Sequence, residues 1–145
     1  MDATQARERF SSATVARMAT VGPGGTPHLV PIVFALIDED TVVSAVDHKR
    51  KRTTALRRLA NIEQNPAVCL LADEYQPEWE TLWWARADGR ARVVAPGREP
   101  ELRERAIDAL VARYGQYEHR RPSGDLIVVE AVSYTHLTLP TIYSV

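Results

Sequence analysis

Short apolar runs rich in β-branched residues, each bounded by a turn signal, dominate the sequence. Six of them have the length and composition of strands: residues 13–21, 28–37, 41–46, 67–72, 81–95 and 125–132. Helical patterns do not alternate regularly with these runs, which argues against a doubly wound parallel sheet. The predicted fold is therefore mainly β with flanking helices (α+β), with six antiparallel strands in a barrel.

Two strands are predicted to be irregular. Pro31 has no amide hydrogen to donate, so its strand lies at a sheet edge or carries a bulge. Asp88 and Gly89 either turn a hairpin or kink one long strand, and the kinked strand is favoured. On a regular strand the adjacent Trp83 and Trp84 face opposite sides of the sheet. We expect one ring in the core and Trp84 facing a partner subunit or a ligand.

Two or three helices are predicted between or before the strands. A short helix over residues 2–12 packs Phe10 against the rest of the chain. A second begins near Thr53 or Thr54, and its apolar residues share one face: Leu56, Leu59 and Ile62. The third covers "EPELRERAIDALVARYG", with Pro100 in its first turn, Gly115 at its end and one apolar stripe: Leu102, Ala106, Leu110 and Tyr114.

Basic charge is concentrated in one place. The chain has 18 Lys and Arg against 19 Asp and Glu, a net charge of −1. Six of the basic residues lie between Lys49 and Arg58 with no acid among them, so the remainder has 12 bases against 19 acids. Nucleic-acid binding is disfavoured, because it needs basic charge along a whole groove. A cationic segment that enters a helix N-terminus suits a small anion instead.

Several function classes find no support in the residues. Cys69 is the only cysteine, which excludes an intrachain disulfide, and the four histidines have no metal-ligand spacing. No nucleophile motif is present, and neither a membrane span nor a signal peptide is recognised. We expect a cytoplasmic protein that uses no metal, no membrane and no catalytic residue of its own.

The last fourteen residues differ in amino-acid composition from the rest of the chain. Residues 132–145, "VSYTHLTLPTIYSV", contain no Asp, Glu, Lys or Arg, whereas the preceding sequence is rich in Glu, Arg and Ala. "VSYTHL" resembles the translation of a sequencing-library adapter. The predicted organisation is one domain over residues 1–131, followed by a non-native tail, 132–145, in place of the true C-terminus. The alternative is a genuine apolar tail strand. His136 and Tyr143 are assigned no role.

Three stretches carry a family resemblance: "RFSSATVARMATVGPGGTPHLVPIVFAL", "AVDHKRKRTTALRRLANIEQNPAVCLL" and "LWWARADGRARVV". In this order they resemble the pyridoxamine-phosphate-oxidase-like split β-barrel superfamily of FMN-binding type. They are similar in particular to its actinobacterial branch of F420-dependent oxidoreductases. The resemblance implies a homodimer with a flavin or deazaflavin at the subunit interface. Relatives also have a C-terminal segment with Trp and Arg that helps to close the site, and here the tail stands in its place.

The resemblance also implies which residues contact the cofactor. Those at its phosphate would be Lys49, Lys51, Arg52 and Thr53. Ser44 and Ala45 would lie beside its ribityl chain and ring. Two segments would form the wall that faces the ring, represented by Met18, Thr20, Pro31 and Val33, with Trp84 added as our own choice.

The first functional hypothesis is an F420-dependent oxidoreductase. Reduced deazaflavin would transfer hydride to a small conjugated or aromatic acceptor, which the sequence does not identify. FMN is the alternative cofactor, because the same basic residues suit its phosphate. A third possibility is a non-catalytic protein that binds flavin, haem or another tetrapyrrole, for which His28 or His48 would be the candidate axial ligand.

Overall fold

A computed structural model describes residues 2–46, 53–75, 77 and 82–138 of the chain. Its helices and strands, in order, are α1 (Ala3–Ser12), β1 (Ala16–Val21), β2 (Pro27–Ile32), β3 (Ala35–Leu36), β4 (Thr41–Ala45), α2 (Thr53–Gln64), β5 (Ala67–Glu74), β6 (Trp83–Val94), α3 (Pro100–Arg113) and β7 (Leu126–Thr138). In this part of the chain, no helix combines the length and apolar character needed for a membrane span.

The strands form a single antiparallel sheet. Their order across it is β2-β1-β5-β6-β7-β4-β3, and the sheet curls into a half-barrel consistent with a split barrel. This confirms the predicted fold class. Of the predicted edge or bulge at Pro31, the edge is confirmed, since among the described strands β2 pairs only with β1 and ends the sheet. A residue without an amide hydrogen is tolerated there because the outer side of the strand has no ladder to complete.

The predicted count of six strands was wrong, since the sheet has seven. The run over residues 28–37 is divided into β2 and β3 at Val33 and Phe34. The Phe34 N–H donates to the Tyr114 hydroxyl at 3.1 Å, and the Phe34 carbonyl lies 2.9 Å from the same oxygen. Arg113 also donates to this carbonyl, at 2.7 Å. The backbone of Phe34 is thus bonded to side chains at the end of α3 instead of to a neighbouring strand.

Replacing Tyr114 by phenylalanine tests how much this contact stabilises the fold. The change leaves the buried Phe34 N–H without its acceptor, and the hydroxyl is also 3.1 Å from the Thr14 carbonyl. We expect the free energy of unfolding to fall by about 1–3 kcal/mol in urea denaturation. Tyr75→Phe is the control, because Tyr75 is 65% exposed and its loss of a hydroxyl should change little. Equal stabilities of the two variants would contradict the interpretation.

The core lies on the inner face of the curled sheet and is closed by α1. The carboxylate of Asp2 accepts from the Gln5 N–H at 2.8 Å while the Gln5 side chain accepts from the Asp2 N–H at 3.0 Å, a capping box that starts the helix. Phe10 is fully buried, as predicted, and its ring lies 5.1 Å from that of Phe34. A second cluster packs β4 and β7 against the predicted stripe of α3, in which Ala106 and Leu110 are buried.

β6 is one long strand, which confirms the kinked strand and excludes the hairpin. Its pairing with β7 shifts register between Asp88 and Gly89. At the shift the two backbones approach so closely that a Cβ on Gly89 would lie 2.4 Å from the Glu130 carbonyl oxygen. The two tryptophans do face opposite sides: Trp83 is buried and its Nε1 donates to Glu74 at 3.1 Å, whereas Trp84 is half-buried on the outer face.

β7 continues into the segment predicted to be a tail. Residues 133–138 pair with the first half of β6, from Trp83 to Asp88. Tyr134 is half-buried there, with its ring 6.0 Å from that of Phe10. The segment therefore contributes to the sheet as far as Thr138, while its non-native origin stays a prediction.

Candidate functional site

Three of the predicted cofactor-binding residues meet where β4 passes the break between β2 and β3. The Ser44 hydroxyl donates to the Val33 carbonyl at 2.8 Å, and Ser44 is buried. Val33 and Ala45 are half-buried and pack against the same apolar cluster. Val46 follows, and its N–H donates to the Asp125 carbonyl at 3.0 Å. This corner is held by one side-chain-to-backbone and one backbone hydrogen bond, and it leads directly into the basic segment.

The principal predicted phosphate ligands lie outside the described residues. These are Lys49, Lys51 and Arg52, within residues 47–52. Thr53 is the first residue of α2, in agreement with the predicted start of that helix, and its side chain is likewise outside the description. Their role in binding stays a prediction. The structure describes the residues on either side of them, at the end of β4 and the start of α2.

Arg58, about one turn into α2, provides an observation that bears on the fit of an anionic cofactor. Its side chain is half-buried, and its Nε is shielded from solvent without a hydrogen-bond partner in the part of the chain that the structure describes. Burial lowers the pKa of the Arg58 guanidinium. A partly desolvated cation without a described acid beside it is stabilised when an anion binds nearby. Arg58 thus suits a phosphate-bearing molecule bound near it, while the predicted donors at the first residues of α2 lie outside the described side chains.

Met18 and Thr20 point away from any ligand on the outer face of the sheet. Met18 is fully buried in the core. Thr20 is also buried, and its hydroxyl accepts from the Asn61 side chain of α2 at 3.1 Å. A molecule outside the sheet would reach neither side chain, so a part for these two residues in binding stays a prediction.

Pro31 and Trp84 lie on the outer face, which carries a shallow groove of about 430 Å³. We call it the outer groove; Pro31 is opposite Arg17 on β1, and the groove itself is lined by Arg17, Leu29, Leu71, Asp73, Tyr75 and Trp84, among others. Arg17 and Asp73 form an ion pair at 2.9 Å across it. Leu29 is 66% exposed and Tyr75 65%. Those predicted site residues whose side chains are described therefore occupy three places: the corner at Ser44, the core, and the outer face that carries the groove.

Sequence reasoning passed over two residues that organise these places. Asn61 lies beside the apolar stripe of α2, yet it is buried and bonded to Thr20. Leu29 alternates with His28 and Val30, a period-2 pattern that places it on the opposite face of the strand. Strict attention to this alternation would have identified Leu29 as an exposed apolar residue.

Comparison with known proteins adds the family. No curated protein matches the chain. The model of a family described as pyridoxamine 5'-phosphate oxidase matches residues 3–137. Among solved structures, a conserved hypothetical protein from Mycobacterium tuberculosis is similar with a TM-score of 0.76 and 20% identity, over 99% of this chain and 88% of that one.

Two further structures have the same fold. A FAD-binding protein from Mycobacterium smegmatis has a TM-score of 0.65 and 21% identity, over 96% of this chain and 97% of that one. A protein described as an F420 reductase has a TM-score of 0.63 and 20% identity, over 89% and 94%. At such identities these structures show the shared fold. With the family match over nearly the whole chain, they establish that this protein belongs to the pyridoxamine 5'-phosphate oxidase family, as the sequence resemblance implied.

Proposed function

We propose that the protein is an oxidoreductase that uses coenzyme F420. In this proposal, reduced deazaflavin passes hydride to a small conjugated or aromatic acceptor. The observation that carries it is the run of basic residues between β4 and α2, in a chain of this family whose solved structural relatives include an F420 reductase.

The described corner supports the binding of a cofactor with an acidic end. The Ser44–Val33 hydrogen bond holds the end of β4 against the break before β3. The chain then enters the basic segment and α2, whose first amides and dipole favour an anion. The desolvated Arg58 adds positive charge on the same helix. Together these features suit a phosphate at the start of α2 and a ring directed towards Val33.

In this chemistry the protein binds the cofactor, orients it and excludes water. The cofactor, when bound, supplies the hydride chemistry. The proposal assigns no catalytic side chain. Positioning the acceptor against the cofactor accounts for the rate enhancement that such an enzyme needs.

Binding of three candidate cofactors to the purified protein tests the proposal. F420, FMN and haem would each be titrated, with absorbance and fluorescence as readouts. We expect F420 to bind with one equivalent per chain at micromolar strength. If only FMN binds, the cofactor assignment changes from F420 to FMN, the alternative named above. Haem binding alone would indicate a non-catalytic tetrapyrrole-binding protein, and binding of none would refute the proposal.

We also propose that two copies pair through the outer groove. Leu29 and Tyr75 leave apolar surface exposed on the outer face. The groove carries both signs of charge, Arg17 and Arg86 beside Asp73. A two-fold axis brings the same patch onto itself, so a surface with both signs can complement its own copy. A second copy is thus the occupant that the groove fits.

Leu29→Ala is predicted to weaken this association. Each dimer loses two buried leucine side chains, and we expect a rise in the dimer dissociation constant of about tenfold or more in sedimentation equilibrium. Val15→Ala is the matched control, because Val15 is 39% exposed but does not line the outer groove. A chain that is monomeric at all concentrations, or a dimer unaffected by Leu29→Ala, would contradict the assignment.

A further inference from the structure

A second concave site lies on the opposite side of β2. A pocket of about 650 Å³ separates the turn between β1 and β2 from α2, and we call it the hairpin pocket. Its apolar wall contains Pro23, Pro27 and Ala60, and its polar groups include His28, Arg57 and Asn61. A volume in this range with mostly apolar walls and a few convergent polar groups is typical of small-molecule sites.

The charge at this pocket has one sign. Arg57 lines it, and none of the described acidic residues does. Among the described residues, neither Arg57 nor its neighbour Arg58 forms an ion pair, whereas five other arginines in the same description do. The pocket therefore has a cationic end that the described parts of the protein leave uncompensated.

His28 adds an unsatisfied polar atom at the same end. Its Nδ1 is shielded from solvent and has no hydrogen-bond partner in the described part of the chain. Burial, Arg57 and Arg58 all lower the pKa of His28, which favours the neutral imidazole. Both charges that act on the imidazole come from α2, whereas the residue opposite His28 on β1 is the uncharged Thr20. An anion beside Arg57 would reverse this effect and raise the pKa of His28.

The rest of the pocket is held in shape. Asn61 is buried and bonded to Thr20 at 3.1 Å. The Gly22 N–H donates to the Thr26 carbonyl at 2.7 Å, which closes the hairpin. A Cβ on Gly22 would lie 3.3 Å from the Asn61 Oδ1, so the absence of a side chain there leaves the wall open. A preformed pocket binds a ligand without the cost of ordering its walls.

We infer that the hairpin pocket binds a small organic anion, with its carboxylate or phosphate between Arg57 and His28 and its apolar body against Pro23, Pro27 and Ala60. The site differs from the proposed cofactor site, which lies at the first residues of α2 and at Ser44. It also differs from the outer groove, because neighbouring residues of β2 point to opposite faces. The protein thus has a place for a second ligand besides the cofactor.

Binding of benzoate tests this inference. Its affinity would be measured by NMR titration against two related probes: phenyl phosphate, with a different anionic group, and benzyl alcohol, with none. We expect benzoate or phenyl phosphate to saturate below about 10 mM and benzyl alcohol to bind at least about tenfold more weakly. The anionic probe with the higher affinity identifies the preferred group. The pKa of His28, read from its imidazole resonances, should rise on binding.

Arg57→Gln tests whether benzoate binds in the hairpin pocket and not elsewhere on the protein. The variant should weaken benzoate binding by about five- to tenfold. Arg98→Gln, at an exposed position outside the pocket, should leave it unchanged. The inference is overturned by any of four results: no saturation by either anion, equal binding of benzyl alcohol, an unaffected Arg57→Gln variant, or an unmoved His28 pKa. It is also overturned if Arg57→Gln weakens F420 or FMN as strongly as benzoate, since the pocket would then be part of the cofactor site.

Discussion

Gly89→Ala is expected to lower the free energy of unfolding by about 2–3 kcal/mol. The added Cβ would lie 2.4 Å from the Glu130 carbonyl oxygen and 3.0 Å from the Cα of Ala131. Both are backbone atoms of β7, so relief requires the two longest strands of the sheet to separate at the register shift. Urea denaturation of the variant and of the unchanged chain gives the difference.

Gly115→Ala is the matched control for this substitution. Nothing lies within 4 Å of a Cβ built on Gly115, and its φ is not in the left-handed region. Alanine at such a position is neutral or stabilises by about 0.4–1 kcal/mol, because it restricts the unfolded chain. Gly89→Ala should therefore destabilise the protein, whereas Gly115→Ala should not. A tolerated Gly89→Ala would show that the close approach of β6 and β7 is not a constraint on the fold.

The double substitution Lys51→Ala, Arg52→Ala is expected to weaken F420 or FMN binding by about 10²–10⁴-fold. Two charge-assisted hydrogen bonds to a phosphate contribute about 1.5–3 kcal/mol each, and their sum corresponds to this range. Affinity for haem should change little, because an axial ligand and apolar contacts hold a tetrapyrrole. The same fluorescence and absorbance titrations measure all three.

The control for the basic segment is Arg98→Ala, Arg120→Ala. It removes the same charge from two exposed positions far along the chain from α2. Long-range attraction of an anionic cofactor would be reduced equally by both double variants, whereas a direct contact is lost only in the first. Unchanged affinity after removal of Lys51 and Arg52 would exclude this segment as the phosphate site, while membership of the family would stand.

Local patterns in the sequence were sufficient for most of the architecture. Pro31 cannot donate to a ladder, and β2 is an edge strand. Gly89 permits a close backbone approach, and β6 shifts its register with β7 there without turning back. Adjacent tryptophans face opposite sides, and Trp83 is buried while Trp84 is half-exposed. Each of these outcomes depends on the covalent structure of one residue or on the two-residue period of a strand. Both can be read directly from the sequence.

The candidate site was less accessible to such reasoning. Val33, Ser44 and Ala45 do meet, but their meeting depends on a hydrogen bond between residues eleven positions apart. The hairpin pocket needs His28 from β2 and Arg57 from α2 on the same side of the sheet. Met18 is buried in the core and Thr20 is buried beside Asn61, and their predicted part in cofactor binding stays a prediction.

By itself the sequence determined the elements of this protein, its family resemblance and the single concentration of positive charge, because propensity, strand period and charge are properties of neighbouring residues. Only the tertiary structure decided that Tyr114 divides one predicted strand into two, and which side chains face the core, the outer groove or the hairpin pocket. Those outcomes depend on contacts between residues distant in the sequence, such as Phe34 and Tyr114, 80 positions apart, which no local pattern encodes.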